Sequence, residues 1–344
     1  MNTKFNFSNK NILIIGGSGS LGISLIKNFV NENQVTIASR DEAKHWTLRN
    51  EFKKNKNLIF KIGDIRDKNR IQEIILDSQP NIIIIAAALK QVDTCENVPI
   101  ESVKTNLLGI QNVVDVIKLN INNLVKLETT LLVSTDKACA PTNVYGMCKA
   151  ISERIVTNTI CENKNVKFIG VRYGNVLESR GSIIPLFKYQ VEQKSNLTIT
   201  HKEMTRFVMT LQESCDLIKT AISLADSGEI YVPKLPSMKI MDLATIFANR
   251  YKSKIDFIGM RAGEKLHEQL ISETESFRVS ENGENYVIKS SLYSNLTRDT
   301  DFSYSSNTSS LNISELESYL DELGIFEMRL NDFVGKSIDE IRKD

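Results

Sequence analysis

The stretch Asn11-Ile-Leu-Ile-Ile15-Gly16-Gly-Ser-Gly19-Ser-Leu-Gly22 decides the fold. An apolar run ends in the spacing G-x-x-G-x-x-G, and a segment of helical length, Leu21–Val30, follows directly. A lone glycine motif says little. Between a strand and a helix it forms the turn that seats a dinucleotide pyrophosphate. Gly16 permits the tight turn, Gly19 lets the backbone approach the phosphates, and Gly22 lets helix and strand pack closely. The helix amino end supplies N–H groups and a positive dipole for the anion. Ser18, Ser20 and Leu21 complete the expected loop.

Five more short apolar or β-branched runs follow: Val35–Ala38, Leu58–Lys61, Asn81–Ile85, Thr129–Val133 and Lys167–Val171. Each reads as a buried parallel strand. Helical lengths lie between them. In Glu101–Ile117, residues Val103, Leu107, Ile110, Val114 and Ile117 recur at a spacing of three to four. The alternation predicts an α/β fold with a doubly wound parallel sheet. After Asn175 it fades, and Gly181, Pro185, Pro233 and Pro236 punctuate the chain. A smaller α/β substrate lobe is expected there, with some strand returning to the main sheet. The expected division gives 1–176 with roughly 206–226 to the dinucleotide domain, and 177–205 with 227–344 to the lobe. Ser290–Leu311, rich in Ser, Asn and Thr, is expected to wander over the surface. Ile313–Leu323 regains helical periodicity, with Asn312 or Ser314 as its cap.

The chain has 344 residues, 41% hydrophobic and 25% charged, as in an ordinary globular enzyme. Its net charge of +1 gives no global field for nucleic acid or an anionic membrane. No apolar run approaches the ~18 residues of a membrane span, and no signal-peptide core precedes the first strand. The five cysteines are odd in number and form no C-x-x-C pair. They read as reduced thiols of a cytoplasmic protein, with no metal site. Cys148 reads as a bland helix position, Trp46 as packing.

The end of the second strand selects the cofactor. An NAD site places an acidic residue there for the ribose hydroxyls. Here Ser39, Arg40 and, one turn later, Lys44 suit a 2′-phosphate, which favours NADP over NAD. Asp41 stands one position late for the acidic role and equally suits the cap of the next helix. Asp64 and Ile65 follow the third strand, as an adenine contact would.

Val133-Ser-Thr-Asp136-Lys137 and Tyr145-Gly-Met-Cys-Lys149 carry the chemistry. Thr135, Asp136 and Lys137 fall at the carboxyl end of a strand, where open α/β sheets bind ligands. Tyr145 and Lys149 stand i, i+4 on one helix face. A tyrosine with a pKa of ~10 is a poor base, and a lysine ammonium beside it favours the phenolate. Lys137 serves as a base only with a lowered pKa, which burial and a nearby cation would produce.

Several blocks together resemble the extended short-chain dehydrogenase/reductases. They are Ala86-Ala-Ala-Leu-Lys90, Ser134-Thr-Asp-Lys137, Asn143-Val-Tyr-Gly146, Arg172-Tyr-Gly-Asn-Val176, Met204-Thr-Arg-Phe207 and Arg261-Ala-Gly-Glu-Lys-Leu-His267. The closer resemblance is to the inverting UDP-N-acetylglucosamine 4,6-dehydratases of the polysaccharide-biosynthesis branch, over nearly the whole chain. Ala262 departs from it, where proline is expected.

The resemblance implies a transient oxidation at C4, with Tyr145 as base and Lys149 on the nicotinamide ribose. Lys137 would take the C5 proton, Asp136 would protonate the leaving C6 hydroxyl, and Thr135 would bond the C4 oxygen. Ala86 and Ala87 would complete the cofactor site. Lys90, Asn175, Arg206, Arg261 and Glu264 would hold the UDP-sugar, although Arg261 and Glu264 also fit a plain i, i+3 surface pair. Lys137 stands where dehydratases of other nucleotide hexoses carry Glu. Tyr145 favours the inverting subgroup over a retaining one, which often has Met there. A 4-epimerase has no need of the Asp136–Lys137 pair. A catalytically silent NADP-binding sensor or scaffold typically loses the Tyr or the Lys. The resemblance also implies a homo-oligomer, a hexamer or a dimer.

Overall fold

The structure is a computed structural model, and it describes residues 6–161, 165–177, 179, 181–292, 302–308 and 310–327. The first half alternates strictly: β1 (Asn11–Ile15), α1 (Ser20–Phe29), β2 (Gln34–Ser39), α2 (Glu42–Glu51), β3 (Leu58–Ile62), α3 (Lys68–Ser78) and β4 (Ile82–Ile85). Then come α4 (Val92–Asn97), α5 (Pro99–Ser102), α6 (Gly109–Leu119), β5 (Thr129–Val133), α7 (Val144–Thr157) and β6 (Lys167–Val171). The six strands are parallel, in the order β3-β2-β1-β4-β5-β6. β4 is four isoleucines, all buried. Such a strand shows no alternation because helices cover both faces of the sheet. On one face α1 supplies Leu25, Ile26 and Phe29 to the core. On the other, α3 supplies Ile71, Ile74 and Ile75, and α6 supplies Ile110, Val113 and Ile117.

The remaining strands are β7 (Asn175–Val176), β8 (Leu197–Ile199), β9 (Thr205–Met209), β10 (Ile230–Pro233), β11 (Ser237–Lys239) and β12 (Ile255–Phe257). They continue with β13 (Gln269–Ile271), β14 (Val279–Asn282), β15 (Asn285–Ile288) and β16 (Tyr304–Ser305). The helices are α8 (Ile183–Glu192), α9 (Leu211–Leu224), α10 (Ile240–Tyr251) and α11 (Ile313–Glu322). β10 adds parallel to β6, and β15 and β14 then extend the sheet antiparallel. The sheet thus draws in residues 230–233 and 279–288, which the sequence reading gave to the lobe. Ile230, Val232, Val287 and Ile288 are buried, and this is what ties them there. β9, read with the dinucleotide domain, instead joins β7 and β11 in a separate small sheet. The lobe has its own core around Phe187, Leu243, Phe247, Leu316 and Leu320.

Three further expectations differ from the structure. Glu101–Ile117 is not one α-helix: a π-helical segment, Val103–Leu108, interrupts it. There the buried Asn106 side chain bonds both the N–H and the carbonyl of Leu89, each at 2.8 Å, and the Ser152 hydroxyl donates to the Asn106 carbonyl at 2.6 Å. A 3.6-residue period cannot reveal one widened turn. Within Ser290–Leu311, β16 pairs with β13 and Ser306 is fully buried, so the described part of that segment is packed rather than superficial; residues 293–301 and 309 lie outside the described residues. Trp46 is 69% exposed, on the outer face of α2, and does not pack in the core. Asn312 caps α11 in a full capping box with Glu315.

Candidate active site

The glycine loop sits at the carboxyl end of β1, against the ends of β2 and β4. Gly16 has φ +96°, and a Cβ there would lie 2.5 Å from the Ala87 backbone nitrogen. Only glycine fits this turn. Ala86 is tied back by its N–H to the Ile15 carbonyl at 2.8 Å. Gly19 caps α1 without a side-chain bond. The first helical turn therefore keeps N–H groups for an anion. These residues fit the pyrophosphate of a nicotinamide dinucleotide.

At the end of β2 the Ser39 hydroxyl meets His45 Nε2 at 2.7 Å. Burial, and then Arg49, push the His45 pKa down against the pull of Asp41. Asp41 caps α2, accepting from the Lys44 N–H, and its carboxylate pairs with Lys44 Nζ at 3.2 Å. Arg40 is 57% exposed, with its guanidinium 3.9 Å from Asp64. Asp64 is held mainly by Arg66, at 2.6 Å. Ile65 is buried and packs on Gly109.

The acid–base group sits at the carboxyl end of β5. Thr135 caps a short 3-10 turn, Asp136–Ala138, and its hydroxyl donates to Asp136 Oδ1 at 2.9 Å. Asp136 is 1% exposed; Lys137 Nζ donates to its Oδ1 at 3.0 Å, while Oδ2 has no hydrogen-bond partner. Helix α7 begins beside this turn. Asn143 caps it by accepting from the Gly146 N–H at 2.8 Å. A Cβ on Gly146 would overlap the Lys137 carbonyl, so this glycine lets α7 and its Tyr145 approach the turn.

The electrostatics correct two expectations. Burial pushes the Lys137 pKa down, as expected, but the Asp136 and Glu268 carboxylates overrule it even against Arg206, and the net shift is upward. The two carboxylates thus favour the ammonium form of Lys137. Tyr145 is pushed up to about 12, mainly by burial, with Lys137 opposing. Lys149 does not provide the expected relief: its Nζ donates to the Val133 carbonyl at 2.6 Å, and burial lowers its pKa to about 8.

A cleft on the lobe side is lined by Asn175, Ser182, Ile199, Arg206, Arg261 and Glu264. Four of the five expected sugar-nucleotide residues thus meet there; Lys90 is exposed after β4, and its neighbours Gln91 and Asp93 line the cleft instead. Asn175 Oδ1 and Ser182 Oγ are buried without a partner and suit a ligand's donors. Arg206 spends two guanidinium nitrogens on the carbonyls of Thr205, Lys265 and Leu266. Glu264 accepts from the Arg261 N–H at 3.0 Å.

The sequence reading missed two sets of residues. Glu268 is 2% exposed and lies 3.3 Å from Lys137 Nζ. Arg172 is fully buried and bridges Glu153 of α7, at 2.6 Å, to Glu275, at 2.9 Å. Ser134 donates to Glu153, and Cys139 Sγ to Glu275 at 3.6 Å, so both flanks of the Asp136–Ala138 turn are fastened to this network. A visible signal existed for Arg172: an arginine directly after a buried strand demands partners. His267 bonds Thr205 Oγ1 through Nδ1 at 2.8 Å, and Cys148 is buried beside Ser102. Among the described residues no group of three His, Cys, Asp or Glu is placed to hold a metal, and no helix is long and apolar enough to cross a membrane.

Comparison with known proteins completes the picture. Residues 12–290 match the family described as polysaccharide biosynthesis protein. The chain is 41% identical over 304 residues to the UDP-N-acetylglucosamine 4,6-dehydratase (inverting) of Campylobacter jejuni strain 81-176, covering 86% of this chain and 87% of that one. It is 39% identical to the UDP-glucose 4-epimerase of Rickettsia bellii strain OSU 85-389, covering 82% and 83%. The crystal structure of Pen from Bacillus thuringiensis superposes with a TM-score of 0.85 at 33% identity, covering 93% of this chain and all of that one. With the glycine loop, the Asp136–Lys137 turn and Tyr145–Lys149 all set on one edge of the sheet, the chain belongs to the polysaccharide biosynthesis protein family.

Proposed function

We propose that the chain is an NADP-dependent UDP-N-acetylglucosamine 4,6-dehydratase that inverts C5. The observation that carries this reading is the Asp136–Lys137 pair, 3.0 Å apart with Asp136 buried, beside Tyr145 at the end of β5. The names of the Campylobacter relatives agree with it.

Removing water across C5 and C6 requires one group to take the C5 proton and another to protonate the departing oxygen. The resting pair holds one proton, as carboxylate and ammonium. Moving that proton across the 3.0 Å from Nζ to Oδ1 gives a carboxylic acid and a free amine. This is the working state, and it needs no proton from outside. Lys137 then takes the C5 proton, Asp136 gives its proton to the C6 oxygen, and water leaves. Tyr145 takes the proton of the C4 hydroxyl, with Thr135 bonding that oxygen. The loop of Gly16, Gly19 and Gly22 with Ser39, Arg40 and Lys44 would hold NADP, which would supply the hydride acceptor for C4 and the donor for C6. Lys149 holds the nicotinamide ribose. Arg206, Arg261, the Ser182 hydroxyl and the Asn175 side-chain N–H groups hold the diphosphate, Asn175 Oδ1 accepts from a sugar hydroxyl, and Glu264 holds the uridine ribose.

The same reading makes the protein a cytoplasmic homo-oligomer. Ile100, Leu108, Met147 and Ile151 stand exposed on segments that pack together, as an interface between copies requires. Light scattering tests this: a monomer in solution contradicts it. The Rickettsia relatives, named 4-epimerases, favour a second reading. NMR of the product from UDP-N-acetylglucosamine in heavy water separates the two. Deuterium at C5 in a 6-deoxy-4-keto L-arabino sugar supports dehydration with inversion. A D-xylo product removes the inversion, and a 4-epimer without loss of water removes the dehydratase.

A further inference from the structure

We propose that Glu268 is the second counter-charge of Lys137, the carboxylate that stabilises its ammonium while Asp136 acts as the acid. The geometry is specific. Glu268 Oε1 is 3.3 Å from Lys137 Nζ, and the other oxygen, Oε2, is buried with no hydrogen-bond partner. Arg206 Nε and Lys265 Nζ stand farther off, at 3.9 and 4.0 Å. The backbone of Glu268 is clamped: its N–H donates to the Ser306 hydroxyl at 3.0 Å, and its carbonyl accepts from the Ser306 N–H at 2.8 Å. A carboxylate so buried is costly unless a cation answers it. Lys137 faces Asp136, Glu268, Arg206 and Tyr145, and its ion pairs within 4.0 Å among the described residues are with Asp136 and Glu268.

The two carboxylates play unequal parts during elimination. In the working state Asp136 is protonated and carries no charge. As the C5–H bond breaks, its proton forms an N–H bond on Lys137 and its electron pair becomes the C5–C6 π bond. The C6–O bond breaks, and the oxygen leaves with the Asp136 proton as water. Positive charge therefore grows on Nζ before Asp136 has regained its negative charge. Glu268 offers a carboxylate there, fixed in place 3.3 Å from Nζ. Measured from that working state, a preorganised charge aimed where charge develops lowers the barrier of the elimination step. This catalytic half rests on the dehydratase reading; the charge coupling between Glu268 and Lys137 does not.

Two measurements separate these halves. In the first, the amine of Lys137 is acetylated with acetic anhydride over a range of pH and quantified by mass spectrometry. The Glu268→Gln variant should move its half-labelling point down by about one pH unit or more, and Glu268→Asp should restore part of it. Asp136→Asn supplies an arm that does not depend on Glu268→Gln folding: with Asp136 neutral, Glu268 alone should still suppress labelling at neutral pH. An unchanged profile in folded Glu268→Gln, or free labelling of Asp136→Asn at neutral pH, overturns the proposal. In the second, Glu268→Gln is mixed with UDP-N-acetylglucosamine. Turnover should fall about a hundred-fold, with reduced-nicotinamide absorbance building up because C4 oxidation outruns elimination. A wild-type enzyme that never turns over this sugar removes the function while the labelling result stands. Normal turnover by Glu268→Gln removes the catalytic role.

Discussion

The glycine loop after β1 and the acid–base turn after β5 lie on the same edge of one sheet and are held by opposite means. The loop is held by backbone: Gly16 is pressed against Ala87, and strand hydrogen bonds fix its ends. The turn is held by buried charge: Asp136, Lys137, Glu268, Glu153, Arg172 and Glu275 form two adjoining ionic groups. A phosphate cradle must present N–H groups and leave room, so backbone suffices. A site that moves protons must hold charges whose values change during the reaction, so it needs charges around it. The two regions should therefore fail in different ways.

The largest effect expected comes from Lys137→Met. Turnover should drop about 10⁴-fold, while NADP affinity, measured by fluorescence titration, stays unchanged. Loss of both together breaks the separation between the regions. Next in size is Arg172→Met. It leaves Glu153 and Glu275 buried without their cation and should cost about 3–5 kcal/mol of stability in chemical denaturation. Replacing Glu153 and Glu275 by Gln in the same chain should recover much of the loss, because the uncompensated charge causes it. If the triple variant is no more stable than Arg172→Met, packing rather than charge fastens the turn.

The same contrast explains what was legible in the sequence. The six parallel strands, the glycine loop and the Tyr145–Lys149 pair are local patterns, and local patterns survive reading along a line. Asp41 as the α2 cap and Asn312 as the α11 cap were visible for the same reason. The charge state of Lys137 was not. It depends on Glu268, which reaches the turn only because the block from Arg261 onward folds back over it. Asn143 donates to the Gly263 carbonyl at 2.8 Å, and Lys265 donates to the Cys139 carbonyl at 2.6 Å. Arg172 and Glu275 meet across 103 residues of chain, and no spacing rule announces such a pair. The upward shift of Tyr145 was hidden likewise, since its depth follows from how closely Gly146 lets α7 approach.

Acid should loosen the charged region first. Burial alone would raise the Glu275 pKa, but the Arg172 charge and hydrogen bonds overrule it and hold the value at about 2, against 4.5 for the free side chain. A depressed carboxylate contributes its stability above the unfolded value and loses it as pH falls toward the folded one. The contribution, on the order of 3 kcal/mol, should therefore be intact above pH 4.5 and decline between 4.5 and about 2. Thermal melts of wild type and Glu275→Gln across that window check it. Their difference should shrink as pH falls, and a constant difference would show that Glu275 acts through packing.

The smallest effect tests a charged side chain beside the backbone-held region. Arg40 is exposed, and its guanidinium stands 3.9 Å from the carboxylate of Asp64, which Arg66 already neutralises. Such a weak tie leaves the guanidinium ready for a stronger anion. A 2′-phosphate would be one, with the Ser39 hydroxyl beside it and Lys44 one turn away. Arg40→Ala removes a single charge-assisted contact, about 1.5–3 kcal/mol, so NADP should bind roughly ten- to a hundred-fold more weakly. NAD has no phosphate at that position and should bind as before. Titrating both cofactors into both proteins gives the comparison directly. Equal losses for NADP and NAD would mean that Arg40 merely braces the loop, and the preference for NADP would lose its support. A loss confined to NADP would show that even the region built from backbone turns to a side-chain charge when it must tell two cofactors apart.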